Sequence, residues 1–289
     1  MTRAPSEHVT KEFSGVSHFA WYHPLLVSAG WAVLMVALER RFPADPRQKL
    51  FREGFFLDFF WYTLFEGALM GVLIGLLITR IDASTGWSRL HVVSDWPVWA
   101  QLGFFWVTHD FYIYWFHRFQ HKNPYLWRTH EAHHSGKDVD WLSGSRSHSL
   151  EILINQTIEY APITLLGAHA DVAVMKGMLD ATWGMFIHSN IRVRMGVLQY
   201  VLNGPELHRW HHASDVEREH NFATKIALWD WIFGTAFRPG TEPKKFGLFG
   251  DPWFPKGYFA QHLWAFRAMS RSASPAARAP DAAAPEVLS

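Results

Sequence analysis

A chain of 289 residues with a formal charge of +1 and no extended basic run excludes a nucleic-acid partner. It contains no cysteine, which excludes disulfides, iron–sulfur clusters, thiolate metal sites and a cysteine nucleophile together. Hydrophobic residues reach 49% and aromatics 16% against 18% charged, with 16 Trp and 23 Phe, a load that points to a bilayer interface.

Residues 1–17 read as a short polar tail lacking the basic and apolar regions of a signal peptide. Residues 20–38 carry no charge over a length that crosses a hydrocarbon core of about 30 Å. A polar loop with Arg40, Arg41, Arg47, Lys49 and Arg52 follows. Residues 59–79 form a second predicted span, broken only by Glu66, with Gly67, Gly71 and Gly75 at a spacing suited to close helix packing. The next loop, 80–95, holds only Arg80 and Arg89 as basic groups, so the positive-inside rule puts the first loop in the cytoplasm. A third span over 96–116 delivers His117 and His121 to that same face, and a polar segment follows over 122–149.

Residues 150–168 and 170–187 read as two antiparallel helices joined by a tight turn. Asn155, Gln156, Glu159 and Asp180 make them less apolar than the earlier spans, which suits insertion without full crossing. Their return brings His188 to the cytoplasmic side. Residues 189–265 are mixed, with short helices, and 268–289 form an Ala-, Pro- and Ser-rich tail expected to be disordered. The expectation is an all-α, multi-pass integral-membrane bundle of about four to five membrane helices with a cytoplasmic histidine-rich helical cap. A single domain would cover 18–267.

The histidines set the chemistry. With 18 in the chain, a given H-x-x-H-H is expected by chance only about 0.07 times, yet it occurs at 130–134 and again at 208–212. On a helix, positions i, i+3 and i+4 share a face. His117 with His121, then His130, His133 and His134, then His208, His211 and His212 therefore each point their imidazoles one way. Eight imidazoles exceed the four that one tetrahedral metal takes and suit two metals with open positions. Imidazole accommodates Zn, Cu, Fe or Ni, so the donor type leaves the metal open.

His188 opens His-Ser-Asn after a helix and joins the candidate ligands, while His148 is a candidate extra ligand or a hydrogen-bond support for one. His109 lies eight residues before His117, about 12 Å along a helix, too far to share a metal. His109 and Asp110 are nonetheless polar groups within a span, where such groups are costly and functional; Asp110 is assigned an orienting or channel role. His8, His18, His23, His91, His169 and His262 read as incidental. Solvated histidine tracts are the competing explanation for such clusters, and three clusters in helical spacing at one membrane face argue against it. The sequence His130-Glu131-Ala132-His133-His134 also matches H-E-x-x-H, where a zinc protease would use the Glu as base. That reading leaves His117, His121 and the downstream cluster unexplained. A haem or metal carrier is the other rival, and it needs one or two axial histidines on spans rather than clusters at span ends.

HDFYIYWFHRFQH (109–121), HEAHH (130–134) and PELHRWHH (205–212) resemble the fatty acid hydroxylase/sterol desaturase superfamily of membrane di-iron enzymes. RSHSLE (146–151), HSN (188–190), NFA (221–223) and WDWIFGT (229–235) extend the resemblance over about 130 residues. It implies two Fe ions held by His117, His121, His130, His133, His134, His208, His211 and His212, together with His188. Some members carry a further His four residues after that last position; here it is Arg192, which leaves His148, Asn190 or water in its place. The resemblance further implies O2 as co-substrate, attack on an unactivated C–H bond of a bilayer lipid, and hydroxylation or desaturation as the outcome. A separate electron donor (a ferredoxin, cytochrome or reductase) completes the expected partners.

Overall fold

The computed structural model describes residues 17–216 and 219–268. The tails read at 1–17 and 268–289 lie, except for residues 17 and 268, outside the described residues. Among the described residues there is no β-strand, only isolated bridges at Pro43–Ile191 and Ala213–Phe246. Among the described residues nine helices carry the fold: α1 (His23–Arg41), α2 (Leu57–Thr85), α3 (Val98–Lys122), α4 (Pro124–His134), α5 (Ser149–Leu165), α6 (Ala170–His188), α7 (Pro205–His211), α8 (Leu228–Ile232) and α9 (Tyr258–Trp264). Each predicted span coincides with a helix, α1, α2, α3, α5 and α6 in order. Among the described residues α2 is the one helix long and apolar enough by length and composition to cross a membrane.

Helix α2 begins as a wide π-helical segment, Leu57–Glu66, and continues as regular α-helix from Gly67. Its buried stripe is Met70, Ile74 and Ile78, which packs on Ala161 and Leu165 of α5. The glycine stripe expected to make that contact faces outward instead, and a Cβ at Gly71 or Gly75 would meet nothing within 4 Å. The larger side chains one position earlier fill the groove, so they and not the glycines set the helix spacing. A second core joins Phe105 of α3 to Ile163 and Val172 across the α5–α6 turn. That turn depends on Gly167 at φ +70°, where a Cβ would stand 2.8 Å from the Ser88 carbonyl oxygen.

The interior and the outside have exchanged roles. Leu25, Leu26 and Val33 of α1, Leu64, Val72 and Leu76 of α2, and Trp99, Phe111 and Trp115 of α3 are exposed. Glu39, Asp58, Glu66, Asp110 and Lys176 are buried. The buried charges are ion-paired or hydrogen-bonded, as they must be. Arg52 bridges Asp58 at 2.8 Å and Asp140 at 2.7 Å, and Arg146 reaches Asp58 at 2.7 Å. Glu39 accepts the backbone N–H groups of Trp141 and Asn190. Arg52 is thus an internal structural residue and drops out of the surface charge of the first loop.

These ties gather the C-terminal ends of α1 and α6 at one end of the bundle. The Phe42 carbonyl accepts the Arg192 N–H at 2.8 Å, and Asp45 N–H donates to the Asn190 side chain at 2.9 Å. The histidine-bearing helices α4 and α7 dock there, α4 on α3 and α7 on α6.

Candidate metal centre

At that end the nine candidate histidines converge and divide into two groups. His117, His121, His130, His134 and His211 form one; His133, His188, His208 and His212 form the other. Within each group the donor nitrogens all lie within 4.8 Å of one another. The two H-x-x-H-H helices are split between the groups: α4 gives His130 and His134 to the first and His133 to the second. Helix α7 gives His211 to the first and His208 to the second, and its capping residue His212 joins the second.

The outer nitrogens fix the chemistry of the inner ones. His117 donates its Nδ1–H to the Phe222 carbonyl at 2.8 Å, His133 to Arg146 at 3.0 Å, His188 to Gly184 at 2.8 Å and His211 to His220 at 2.8 Å. His130 donates to the Glu151 carboxylate at 2.9 Å. A carbonyl or an ionised carboxylate only accepts, so each of these rings carries its hydrogen outside and a lone pair on Nε2 inside. Yet Nε2 of His117 stands 3.0 Å from Nε2 of His130, and Nε2 of His188 stands 3.4 Å from that of His133. Lone pairs so placed repel unless a cation sits between them. The Nε2 atoms of His121, His134 and His211 are buried with no hydrogen-bond partner among the described residues. These nitrogens fit metal binding and fit no hydrogen-bond network.

Burial sustains that state. It holds His133, His134, His208, His211 and His212 well below the ordinary imidazole value, and the neighbouring imidazoles push the same way. The rings stay neutral and keep their lone pairs at neutral pH.

The remaining sequence candidates stand outside both groups. His148 caps α5, accepting the Leu150 N–H and bonding through Nε2 to the His262 carbonyl. Asn190 bonds Asp45 and Arg209. Asp110 accepts from Thr224 Oγ1, the Lys225 and Ile226 N–H groups and Trp229 Nε1, all between 2.9 and 3.0 Å. It thereby pins the loop whose Phe222 carbonyl orients His117. His109 lies 3.0 Å from Glu159 and 3.2 Å from Lys176. Glu131, the base of the protease reading, is held in a two-pronged pair with Arg267 at 2.7 and 2.8 Å.

Sequence reasoning missed Glu151, although it closes the RSHSLE motif, and it missed Lys176, a buried cation on a helix whose only polar group singled out was Asp180. It could not find the carbonyl partners, since a backbone oxygen leaves no residue-type signal. Gly144 was missed as well: a Cβ there would lie 2.6 Å from Nδ1 of His188. A cavity of about 250 Å³ opens beside both groups, lined by His117, His130, His133, His188 and His208 and extending to Asn155 and Asp180.

The family profile described as fatty acid hydroxylase matches residues 102–235, the stretch that carries every one of the nine histidines. The chain is 28% identical to ornithine lipid hydroxylase OlsE of Rhizobium tropici over 258 residues, 86% of this chain and 76% of that protein. It is 30% identical to alkylglycerol monooxygenase of Danio rerio over 64% of this chain, but only 42% of that protein. It is 25% identical to methylsterol monooxygenase 2-2 of Arabidopsis thaliana over 47% of this chain and 52% of that protein. No solved structure matches the chain.

Proposed function

Because the chain belongs to the fatty acid hydroxylase/sterol desaturase superfamily and is an enzyme of its oxidoreductase kind, we propose that it is an O2-dependent di-iron hydroxylase of a membrane lipid. The observation that carries the reading is the division of nine clustered imidazoles into a group of five and a group of four. One iron would be held by His117, His121, His130, His134 and His211, the other by His133, His188, His208 and His212. When bound, the pair supplies O2 activation and cleavage of an unactivated C–H bond. Overall, R–H, O2, two electrons and two protons give R–OH and water. The electrons come from a separate donor protein, a ferredoxin, cytochrome or reductase.

The chain's own residues perform the rest. Glu151 and the carbonyls of Arg146, Gly184, His220 and Phe222 hold the rings in one tautomer and one orientation, which raises their basicity as ligands. Asp110 holds the loop that supplies the Phe222 carbonyl. Burial keeps His133, His134, His208, His211 and His212 neutral and excludes bulk water from the reacting carbon. Both metal groups border one cavity, so a single substrate carbon can reach the space between them.

The exposed apolar faces of α1, α2 and α3 support a multi-pass arrangement in a bilayer, with α5 and α6 inserted beside them. Within lipid, buried polar networks such as Arg52–Asp58–Arg146 would hold helices that gain nothing from apolar burial. With Arg52 internal, Arg40, Arg41 and Lys49 still favour a cytoplasmic position for the site's end of the bundle. A single domain would span 18–267.

Desaturation of the same lipid is the second reading, since it shares the first C–H cleavage, although the relatives named above are a hydroxylase and monooxygenases. Intact-lipid mass spectrometry of cells with and without the protein decides it. A gain of one oxygen atom is expected, a loss of two hydrogens would mean desaturation, and neither change in any lipid class would refute the proposal.

A further inference from the structure

Helix α2 is apolar enough by length and composition to cross a bilayer, yet it carries a buried acidic stripe. Its wide π-helical first segment turns Asp58, Tyr62 and Glu66 to the inside, four residues apart, while Phe60, Leu64 and Phe65 stay exposed. Asp58 and Glu66 are both 0% exposed. Ionisable groups inside an apolar helix are costly, and π-helical turns are distortions that recur at functional sites. Here the two coincide, which marks a place where the fold gives up stability to hold something in position.

Both acids grip one short stretch of chain. Asp58 takes the Arg146 guanidinium in a two-pronged pair, Nε at 2.7 Å and Nη2 at 3.0 Å. Glu66 accepts the Ser149 hydroxyl at 2.5 Å. Arg146 is held on its other sides as well. Its Nη1 donates to Ser135 Oγ at 3.0 Å, and the guanidinium lies so close over Gly54 that a Cβ there would stand 2.5 Å from Nη2. Arg52 bridges Asp58 to Asp140, so the carboxylate cannot swing away. Residues 146–148 belong to no helix, so these side chains fix a backbone that no helical ladder fixes. That backbone reaches the histidines: the Arg146 carbonyl accepts Nδ1–H of His133 at 3.0 Å. His133 belongs to the group of four, and it is half-buried where His188, His208 and His212 are buried, so packing constrains it least.

We propose that Asp58, a residue of the apolar helix α2, is a positioning residue for the metal held by the group of four: through the Arg146 backbone it sets the orientation of His133. The inference rests on the two-metal reading above and adds what holds one of its ligands in place. A guanidinium–carboxylate fork fixes plane as well as distance, which a single hydrogen bond does not. Partners that orient a ligating imidazole are worth about 10–100-fold in metal affinity. The group of five takes its orientation elsewhere, from Glu151 on His130, the Phe222 carbonyl on His117 and the His220 carbonyl on His211. Loss of Asp58 therefore falls on one metal and spares the other.

The test reads iron affinity rather than turnover, on the full chain. His211→Ala cripples the group of five and His212→Ala the group of four, so each background leaves one ion to follow in a chelator titration. Asp58→Asn added to His211→Ala is expected to weaken iron retention about 10–100-fold, and added to His212→Ala to leave it unchanged. Asp58→Asn removes a negative charge beside two buried guanidinium groups and can misfold, so Arg146→Lys is measured beside it. An ammonium balances the Asp58 charge but lacks the fork, and the same selective weakening is expected. Equal weakening in both backgrounds overturns the inference and leaves the two metals standing. So does a lower melting temperature of the metal-free protein with iron affinity unchanged, which would make Asp58 structural only. A parent chain without iron, or two ions retained in either background, removes the two-metal reading together with the inference.

Discussion

Gly144→Ala tests the metal centre without touching a ligand. The new Cβ would lie 2.6 Å from Nδ1 and 2.9 Å from Cε1 of His188. The ring must retreat by about 0.8 Å to reach ordinary contact near 3.4 Å. Its Nδ1–H is tied to the Gly184 carbonyl at 2.8 Å, so the retreat also strains the bond that sets its tautomer. Metal–nitrogen bonds are about 2.0–2.1 Å long, which leaves no slack for such a displacement. Losing the orientation of one ligand costs about 10–100-fold in metal affinity, or about 1.4–2.7 kcal/mol. The four-histidine group should bear this loss alone. Titrating the iron-loaded protein with a chelator, and counting iron retained per chain, should show one ion leaving at 10–100-fold lower chelator than in the parent protein. The second ion should leave unchanged. Gly184→Ala is the control, because a Cβ there meets nothing within 4 Å and its carbonyl remains in place. Two ions held by Gly144→Ala with unaltered affinity would refute the assignment of His188.

His211→Ala and His212→Ala, adjacent in sequence but in different groups, should each leave about one iron per chain, and the double variant none. Retention of both ions by either single variant, measured by elemental analysis, contradicts the division. Glu131→Gln should leave lipid oxidation within several-fold of the parent, whereas an H-E-x-x-H protease losing its general base falls by about 10²–10⁴-fold. The metal-free protein should lose stability as pH falls below about 6.5. Folding depresses the affinity of His133, His134, His208, His211 and His212 for protons, so the unfolded chain binds more of them in acid. That stability is present above the ordinary imidazole value near 6.5 and declines below it. The rings lose stability together as the pH falls, so the melting temperature of the apoprotein should drop between pH 7.5 and 5.5. A flat profile would show that these rings titrate freely in the folded state.

Helix positions and the nine inward-facing histidines were legible in the sequence, because both rest on local periodicity. A run such as residues 20–38 can only be a helix if it is to satisfy its backbone in an apolar setting. His130, His133 and His134 share a face by helix geometry alone. Their convergence with His188 and the α7 histidines was legible too, because each cluster sits at the end of a helix. The glycine stripe of α2 misled for the complementary reason: its spacing permits close packing, but Met70, Ile74 and Ile78 won the contact with α5 through larger buried surface.

Tertiary structure alone decided how the histidines are shared. Consecutive residues His133 and His134, and again His211 and His212, part company between the two groups, which depends on how α4 and α7 dock on α3 and α6. It alone recruited the carbonyls that fix the tautomers, took Arg52 out of the surface charge, and gave Glu131 to Arg267. It also placed Glu159 and Asp180 on one cavity and paired Lys176 with both. Spacing along a helix determines which side chains point together. Which of them meet across helices, and what lies between them, is set by packing that no single stretch of sequence contains.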